Sequence, residues 1–153
     1  MEKTNVMRLL DRNRISYTPH FYSFVMSGTE IAAVLGEDPA KVFKTLVTVG
    51  ASRKNYVFMI PVAKELDLKK AAAAVGEKSI SMLPQKELLP LTGYVHGGCS
   101  PIGMKKQFRT MIHLTAMSFD TIFFSAGKVG AQVEMKPGDI LGVCPVETAD
   151  LVV

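Results

Sequence analysis

Lys44 interrupts a run of strand-forming residues, Val42-Phe43-Lys44-Thr45-Leu46-Val47-Thr48-Val49. β-Branched residues dominate the run, so 42–49 reads as a largely buried strand. Alternate side chains of a strand share a face, which places Lys44 with Val42, Leu46 and Thr48. An ammonium group on an apolar face is costly unless it is paired or opens into a cleft. Two readings follow. The stem can lie along apolar surface with its head in water. Alternatively, the cation stands at the floor of a substrate pocket and meets an anion or an ester oxygen there.

The second chemical feature is the segment Thr92-Gly93-Tyr94-Val95-His96-Gly97-Gly98-Cys99-Ser100-Pro101-Ile102-Gly103-Met104-Lys105-Lys106. Paired glycines, Ser-Pro and a further glycine make a loop whose backbone can come close to a ligand. Exposed backbone N–H groups in such a loop suit a phosphate or a developing oxyanion. From Gly98 to Gly103 the spacing nearly spells a Walker loop. Met104 stands where its lysine must be, and no Ser or Thr follows Lys105 to hold magnesium, so nucleoside-triphosphate chemistry is excluded. A dinucleotide fingerprint is excluded as well, because no Gly-x-Gly-x-x-Gly opens a helix.

Other chemistries find less support. His20, His96 and His113 are far apart, with no His-x-x-x-His pair and no Cys-x-x-Cys, so no metal site is expected. The Pro-Cys-x-x-Cys of a zinc deaminase is absent. Cys99, beside Ser100 and three residues after His96, lacks a third orienting group and reads as packing rather than as a nucleophile. The nine methionines read as flexible core filling. The basic groups Lys69-Lys70 and Lys105-Lys106, with Arg109, are the natural phosphate contacts if RNA binds, setting affinity rather than sequence choice.

These residues must be held by a chain of 153 residues, a length that suits one domain spanning 1–153. With 48% hydrophobic and 21% charged residues the composition is globular, and the net charge of +4 is compatible with a polyanion partner. No apolar stretch is long enough to span a membrane, and the start of the chain carries no signal-peptide core. With two cysteines and no export signal, reduced thiols and a cytoplasmic location are expected.

Along the chain, Val6, Leu9 and Leu10 mark a helical stripe behind a Thr4/Asn5 cap, followed by a short strand over 16–21. Ser27-Gly28-Thr29-Glu30 has capping-box spacing for a helix ending at Gly36. Asp38-Pro39 starts one further turn. Strands over 42–49 and 56–61 flank the polar link 51–55 as a hairpin. Asp67 caps a helix reaching Ala74 and stopping near Gly76. Residues 80–82 read as a brief strand and 84–89 as a short helix closed by Pro90. Further strands are expected over 94–96, 109–114, 121–125 and 132–135, and a last helix opens at Pro137. The class is α/β: a mixed, mainly antiparallel sheet, curled or barrel-like, with short flanking helices.

In order along the chain, Tyr22, Phe43-Lys44-Thr45-Leu46, Leu66-Asp67-Leu68-Lys69-Lys70-Ala71, Thr92-Gly93-Tyr94, Gly97-Gly98-Cys99-Ser100-Pro101-Ile102-Gly103 and Ser125-Ala126-Gly127-Lys128 resemble the YbaK family. Its members are free-standing aminoacyl-tRNA deacylases, related to the editing domain of bacterial prolyl-tRNA synthetases. The resemblance covers essentially the whole chain. It implies hydrolysis, without metal or other cofactor, of the ester joining a wrong amino acid to a tRNA 3′ end, usually cysteine on proline tRNA. The substrate's own thiol is thought to attack its carbonyl.

On this resemblance Lys44 is the catalytic residue, fixing the ester through the terminal ribose or phosphate. Tyr22, Thr45, Gly97, Gly98, Ser100, Pro101, Gly103, Ser125, Gly127 and Gln132 line the pocket, with backbone N–H groups of Gly97-Gly98 and of the 125–127 loop as oxyanion donors. The implied partners are tRNA and, as a candidate, prolyl-tRNA synthetase. The family's Ser-Gly-Gly-Lys-Arg-Gly is here Ser125-Ala126-Gly127-Lys128-Val129-Gly130. An often acidic position is Gln132, and the loop 23–30 is shorter than usual, so the amino acid removed stays open. The rival reading is a non-catalytic module that binds tRNA or a synthetase through the same pocket.

Overall fold

The computed structural model describes residues 2–23 and 27–153. The helix ends follow local chemistry. Helix α1 (Asn5–Arg12) begins where the Thr4 hydroxyl accepts from Met7 N–H at 3.2 Å, and it buries Val6, Met7 and Leu10 on one stripe. Helix α2 (Gly28–Leu35) is capped by Ser27, whose Oγ accepts from Glu30 N–H, and it ends at Gly36 in the left-handed conformation. Asp67 caps helix α3 (Leu68–Val75) by accepting from the N–H groups of Lys69 and Lys70. Asp38 and Pro39 start a single 3-10 turn, Pro39–Lys41.

Two sheets result. Strands β1 (Thr18–Phe21), β6 (Ile122–Lys128) and β7 (Ala131–Met135) form an antiparallel sheet in the order β1-β7-β6. Strands β2 (Phe43–Gly50), β3 (Asn55–Pro61), β4 (Ile80–Met82), β5 (Arg109–His113) and β8 (Val146–Ala149) form a second sheet in the order β4-β2-β3-β5-β8. Its β3–β5 and β5–β8 pairs are parallel and the rest antiparallel. A parallel bridge between Val42 and Phe123 joins the sheets at one point. The expected barrel-like closure is therefore corrected: the sheets stay open, because β1, β4 and β8 end them as short edges.

Alternation along the strands separates an inner from an outer side. Phe43, Val47, Val57, Met59, Ile112, Phe124 and Val133 point inward with α1 into the main core. Fully burying each such large side chain contributes about 1.5–3 kcal/mol. The opposite faces carry two smaller clusters. Tyr56, Phe58, Ile60 and Met111 pack under α3 with Ala71, Ala72 and Val75. Val42, Val62 and Phe123 pack under α2 with Ala32.

Several local expectations are corrected. Residues 94–96 form no strand, because left-handed glycines at 93 and 97 turn the chain on both sides, and Tyr94 bonds within the loop, N–H to Thr92 Oγ1 and Oη to Ile102 O. The helix expected over 84–89 is a 3-10 turn, Gln85–Glu87, followed by helix α4 (Leu88–Thr92). Pro90 does not close it, since it sits in the first turn, where a missing N–H breaks no intrahelical bond. The last helix is a 3-10 segment, Pro137–Gly142. Strand β8 and the 3-10 turn Leu114–Ser118 have no counterpart in the sequence pattern. Of the loop expected over 23–30, residues 28–30 belong to α2 and residues 24–26 lie outside the described residues.

Candidate active site

Lys44 stands on the outer face at the seam between the two smaller clusters. Its strand neighbours on that face are Val42, buried under α2, and Leu46, packed toward α3, and its register partner is Ile60. It is half-buried and, among the described residues, makes no hydrogen bond or ion pair. Burial holds its ammonium below the usual lysine range, an effect that the charge of Glu65 only partly opposes. A half-buried cation without a carboxylate is the costly arrangement that sequence reasoning singled out.

The bridge from Val42 to Phe123 sets what lies beside it. Lys44 shares a face with Val42 and Ser125 shares one with Phe123, so the bridge sets both on the same side of the molecule. Ser125 pairs with Gln132 across β6–β7, and Gln132 pairs with His20 across β7–β1. Paired residues share a face, so the row from His20 through Gln132 and Ser125 to Lys44 lies on one side of the molecule. Tyr22 joins this row from just beyond the end of β1. Its N–H donates to Gly130 O at 3.0 Å, and its hydroxyl accepts from Gln132 Nε2 at 3.4 Å. Gln132 is only 3% exposed, yet its Oε1 has no partner among the described residues. A buried unsatisfied carbonyl costs about 1–3 kcal/mol. It is an acceptor available to a ligand's N–H or to a water.

The glycine-rich loop closes one end of this row. A Cβ on Gly98 would stand 2.9 Å from Val129 N, so only glycine lets the loop backbone lie against the β6–β7 turn. Gly127, at φ +88°, carries the bulge that shifts the register after Ser125. Two of the expected oxyanion donors are already engaged: Gly98 N–H donates to Val95 O, and Gly127 N–H to Ser125 Oγ. Gly97 N–H has no partner among the described residues.

Other expected residues serve elsewhere. Ser100 is fully buried and its Oγ accepts from Ile102 N–H, fixing a tight turn with buried Pro101. Gly103 is set against Tyr94, Leu9 and Asn5, on the α1 side. Thr45 points inward with its Oγ1 buried and unpartnered. Burial pushes the Cys99 thiol up to about 12, which removes it as a thiolate nucleophile. Among the described residues no three His, Cys, Asp or Glu side chains cluster as metal ligands, and no helix is long and apolar enough to cross a membrane.

The five expected phosphate contacts divide. Lys70 Nζ donates to Asp150 Oδ2 at 2.9 Å and to Val152 O at 2.8 Å. Arg109 Nε reaches Glu147 at 3.3 Å, and its guanidinium also donates to Val75 O. Both tie the β5–β8 side of the sheet to α3 or to the C-terminal residues. Among the described residues Lys69, Lys105 and Lys106 have no carboxylate partner, Lys106 lying over the Phe108 ring at 5.9 Å.

The arrangement can position an acyl ester against a cation and accept hydrogen bonds from it, without a protein nucleophile. Comparison with known proteins gives this geometry its setting. Residues 25–143 match the family model described as the aminoacyl-tRNA editing domain. The chain belongs to the aminoacyl-tRNA editing-domain family. It is 42% identical to an Enterococcus faecalis protein named "Putative Cys-tRNA(Pro)/Cys-tRNA(Cys) deacylase EbsC", over 98% of this chain and 93% of that protein. Two crystal structures share the fold of this editing domain. One, described as a "putative trans-editing enzyme for prolyl tRNA synthetase", superposes with a TM-score of 0.84 at 21% identity, covering 99% of both chains. The other, "hypothetical protein APE2540", gives a TM-score of 0.89 at 20% identity over 98% of this chain and 100% of that one.

Proposed function

We propose that this editing domain, spanning residues 1–153 as one unit, is a cytoplasmic deacylase of misacylated tRNA with cysteine on proline tRNA as its substrate. The observation that carries the reading is Lys44, a half-buried cation with no hydrogen bond or ion pair among the described residues, on the same side of the molecule as Ser125 and the Gln132–Tyr22 pair. The EbsC-type relative supplies the substrate class.

In this reading Lys44 holds the terminal ribose or phosphate and fixes the ester, a positioning effect that a bound cation supplies without proton transfer. Gly97 N–H faces the carbonyl oxygen as negative charge develops. Gln132 Oε1 accepts from the aminoacyl group. The substrate's own thiol attacks its carbonyl carbon, the C–O bond to the ribose breaks, and the ribose oxygen takes up a proton. Water then opens the resulting thioester to free cysteine. No protein nucleophile is required, which agrees with the high pKa of Cys99 and the burial of Ser100. Prolyl-tRNA synthetase is the partner expected to deliver the substrate.

A panel of tRNAs charged with cysteine, alanine, serine and proline tests the reading, in the presence of a chelator. Cysteinyl-tRNA(Pro) should be deacylated with the chelator present. Loss of activity to the chelator, restored by zinc, would overturn the metal-free mechanism. Binding without turnover on every member would establish the non-catalytic module instead.

A further inference from the structure

The β6–β7 turn and the loop that crosses it leave an exposed patch outside the row that holds Lys44. Val95 is 49% exposed and Val129 42% exposed, although both are aliphatic. A Cβ on Gly97 would lie 3.7 Å from Val129 Cγ2, so the two segments touch and their side chains form one surface. His96 is exposed between Val95 and Gly97, and Lys128 is exposed beside Val129. Lys105 runs along Gly93, two residues before Val95, and its Nζ donates to Pro90 O at 3.5 Å. The patch thus combines two aliphatic walls, an imidazole and the Lys128 ammonium, with the Lys105 stem beside Gly93.

We propose that this patch is a subsite for the unpaired 3′-terminal nucleotides of the RNA, behind the ester. The inference rests on the deacylase reading for the position of the ester. Lys128 stands three residues beyond Ser125 across the Gly127 bulge, at most about 10 Å away, the reach of a fully extended strand. A nucleotide preceding the esterified one falls in that range. Unstacked bases of single-stranded RNA are held by flat or apolar side chains, histidine among them, while cations take the phosphates. The surface has that composition, and its charge complements a polyanion rather than another basic chain. The loop backbones are fixed before binding by the Gly98–Val129 contact, so little ordering is required of the protein.

The test compares cysteinyl-tRNA(Pro) with the cysteinyl ester of adenosine alone, using wild type, His96→Ala, Val129→Glu and Val129→Leu. Val129→Glu should raise KM for the tRNA about tenfold or more, because it sets a carboxylate against the RNA phosphates, with kcat retained. His96→Ala should act in the same direction more weakly, and Val129→Leu should behave as wild type. None should alter kcat/KM for the adenosine ester. Equal losses on both substrates, or no loss on either, would overturn the subsite. Should wild type hydrolyse neither substrate, the deacylase reading falls, and anisotropy with an uncharged single-stranded oligonucleotide ending in CCA decides the subsite. Weaker binding by Val129→Glu and His96→Ala then supports it, and unchanged binding overturns it. Weaker binding of prolyl-tRNA synthetase with unchanged RNA affinity would assign the patch to a protein partner and also overturn it.

Discussion

Lys44 and Lys70 are two half-buried lysines on the same side of the second sheet, and their surroundings differ completely. Lys70 sits in the first turn of α3, with Asp150 at 2.9 Å and the carbonyl of Val152 at 2.8 Å. Its two hydrogen bonds hold the C-terminal residues against the helix. Lys44 has only the distant charge of Glu65 to oppose its desolvation. The first arrangement is what a structural lysine requires, because partial burial is offset by hydrogen bonds. The second leaves a free-energy cost in the folded state with no return until something binds. The same residue type therefore forms a clasp in one place and, in the proposed function, a binding contact in the other.

The largest expected effect separates the two directly. Lys44→Met keeps the stem and removes the charge. Deacylation should fall by about 10²–10³-fold, as expected when a charged contact of roughly 3–4 kcal/mol is lost from the transition state. Thermal stability should hold or rise slightly, since an unpaired charge leaves a half-buried face. Lys44→Arg should not restore turnover, because the larger planar group changes the contact geometry. Wild-type single-turnover rates in a well-folded Lys44→Met protein would end the catalytic assignment.

The seam around Lys44 was legible in the sequence to the extent that its signals are local. Helix ends at Thr4, Ser27, Asp67, Gly36 and Gly76 rest on capping within a few residues, and each appears in the structure where the pattern expects it. The β2–β3 hairpin and Lys44 itself were readable as a break in an apolar run. The Tyr22–Gln132 contact was not, because it joins positions 110 residues apart and depends on the β1–β7 register. Strand β8 exists only through its parallel pairing with β5, since its own residues are mostly exposed. The carboxylate partners of Lys70 and Arg109 were equally hidden. Both lie in the last eight residues, and only the tertiary fold brings them near.

The second expected effect is on pH dependence. Lys44 has a folded pKa below its unfolded value of 10.5, so above the folded value the native state binds fewer protons than the unfolded chain. Stability should therefore rise with pH between the lowered pKa and 10.5. Activity that needs the ammonium should fall through that same interval. Opposite trends in denaturant midpoint and single-turnover rate would tie both to one group. A rate that falls only together with unfolding would detach Lys44 from catalysis. Lys44→Met should flatten its share of the stability trend.

The smallest effect comes from the paired lysine and sharpens the contrast. Lys70→Met removes a partly exposed ion pair and a hydrogen bond to the Val152 carbonyl. Exposed pairs contribute about 0–1 kcal/mol, and a neutral hydrogen bond about 0.5–1.5 kcal/mol. A loss of about 1 kcal/mol is therefore expected, readable as a lower denaturant midpoint with an unchanged slope. Single-turnover deacylation at saturating tRNA should stay within about twofold, because a structural clasp leaves the transition state untouched. RNA affinity should also stay close to wild type, since the ammonium is already committed to Asp150. Reversing Lys105 and Lys106 to glutamate should do the converse. It should weaken several tRNAs alike and lower the salt slope by about 0.7–0.9 per lost contact, at little cost to the fold. A Lys70→Met protein that is stable but loses RNA affinity would show that the clasp opens on binding and that Lys70 is a phosphate contact after all.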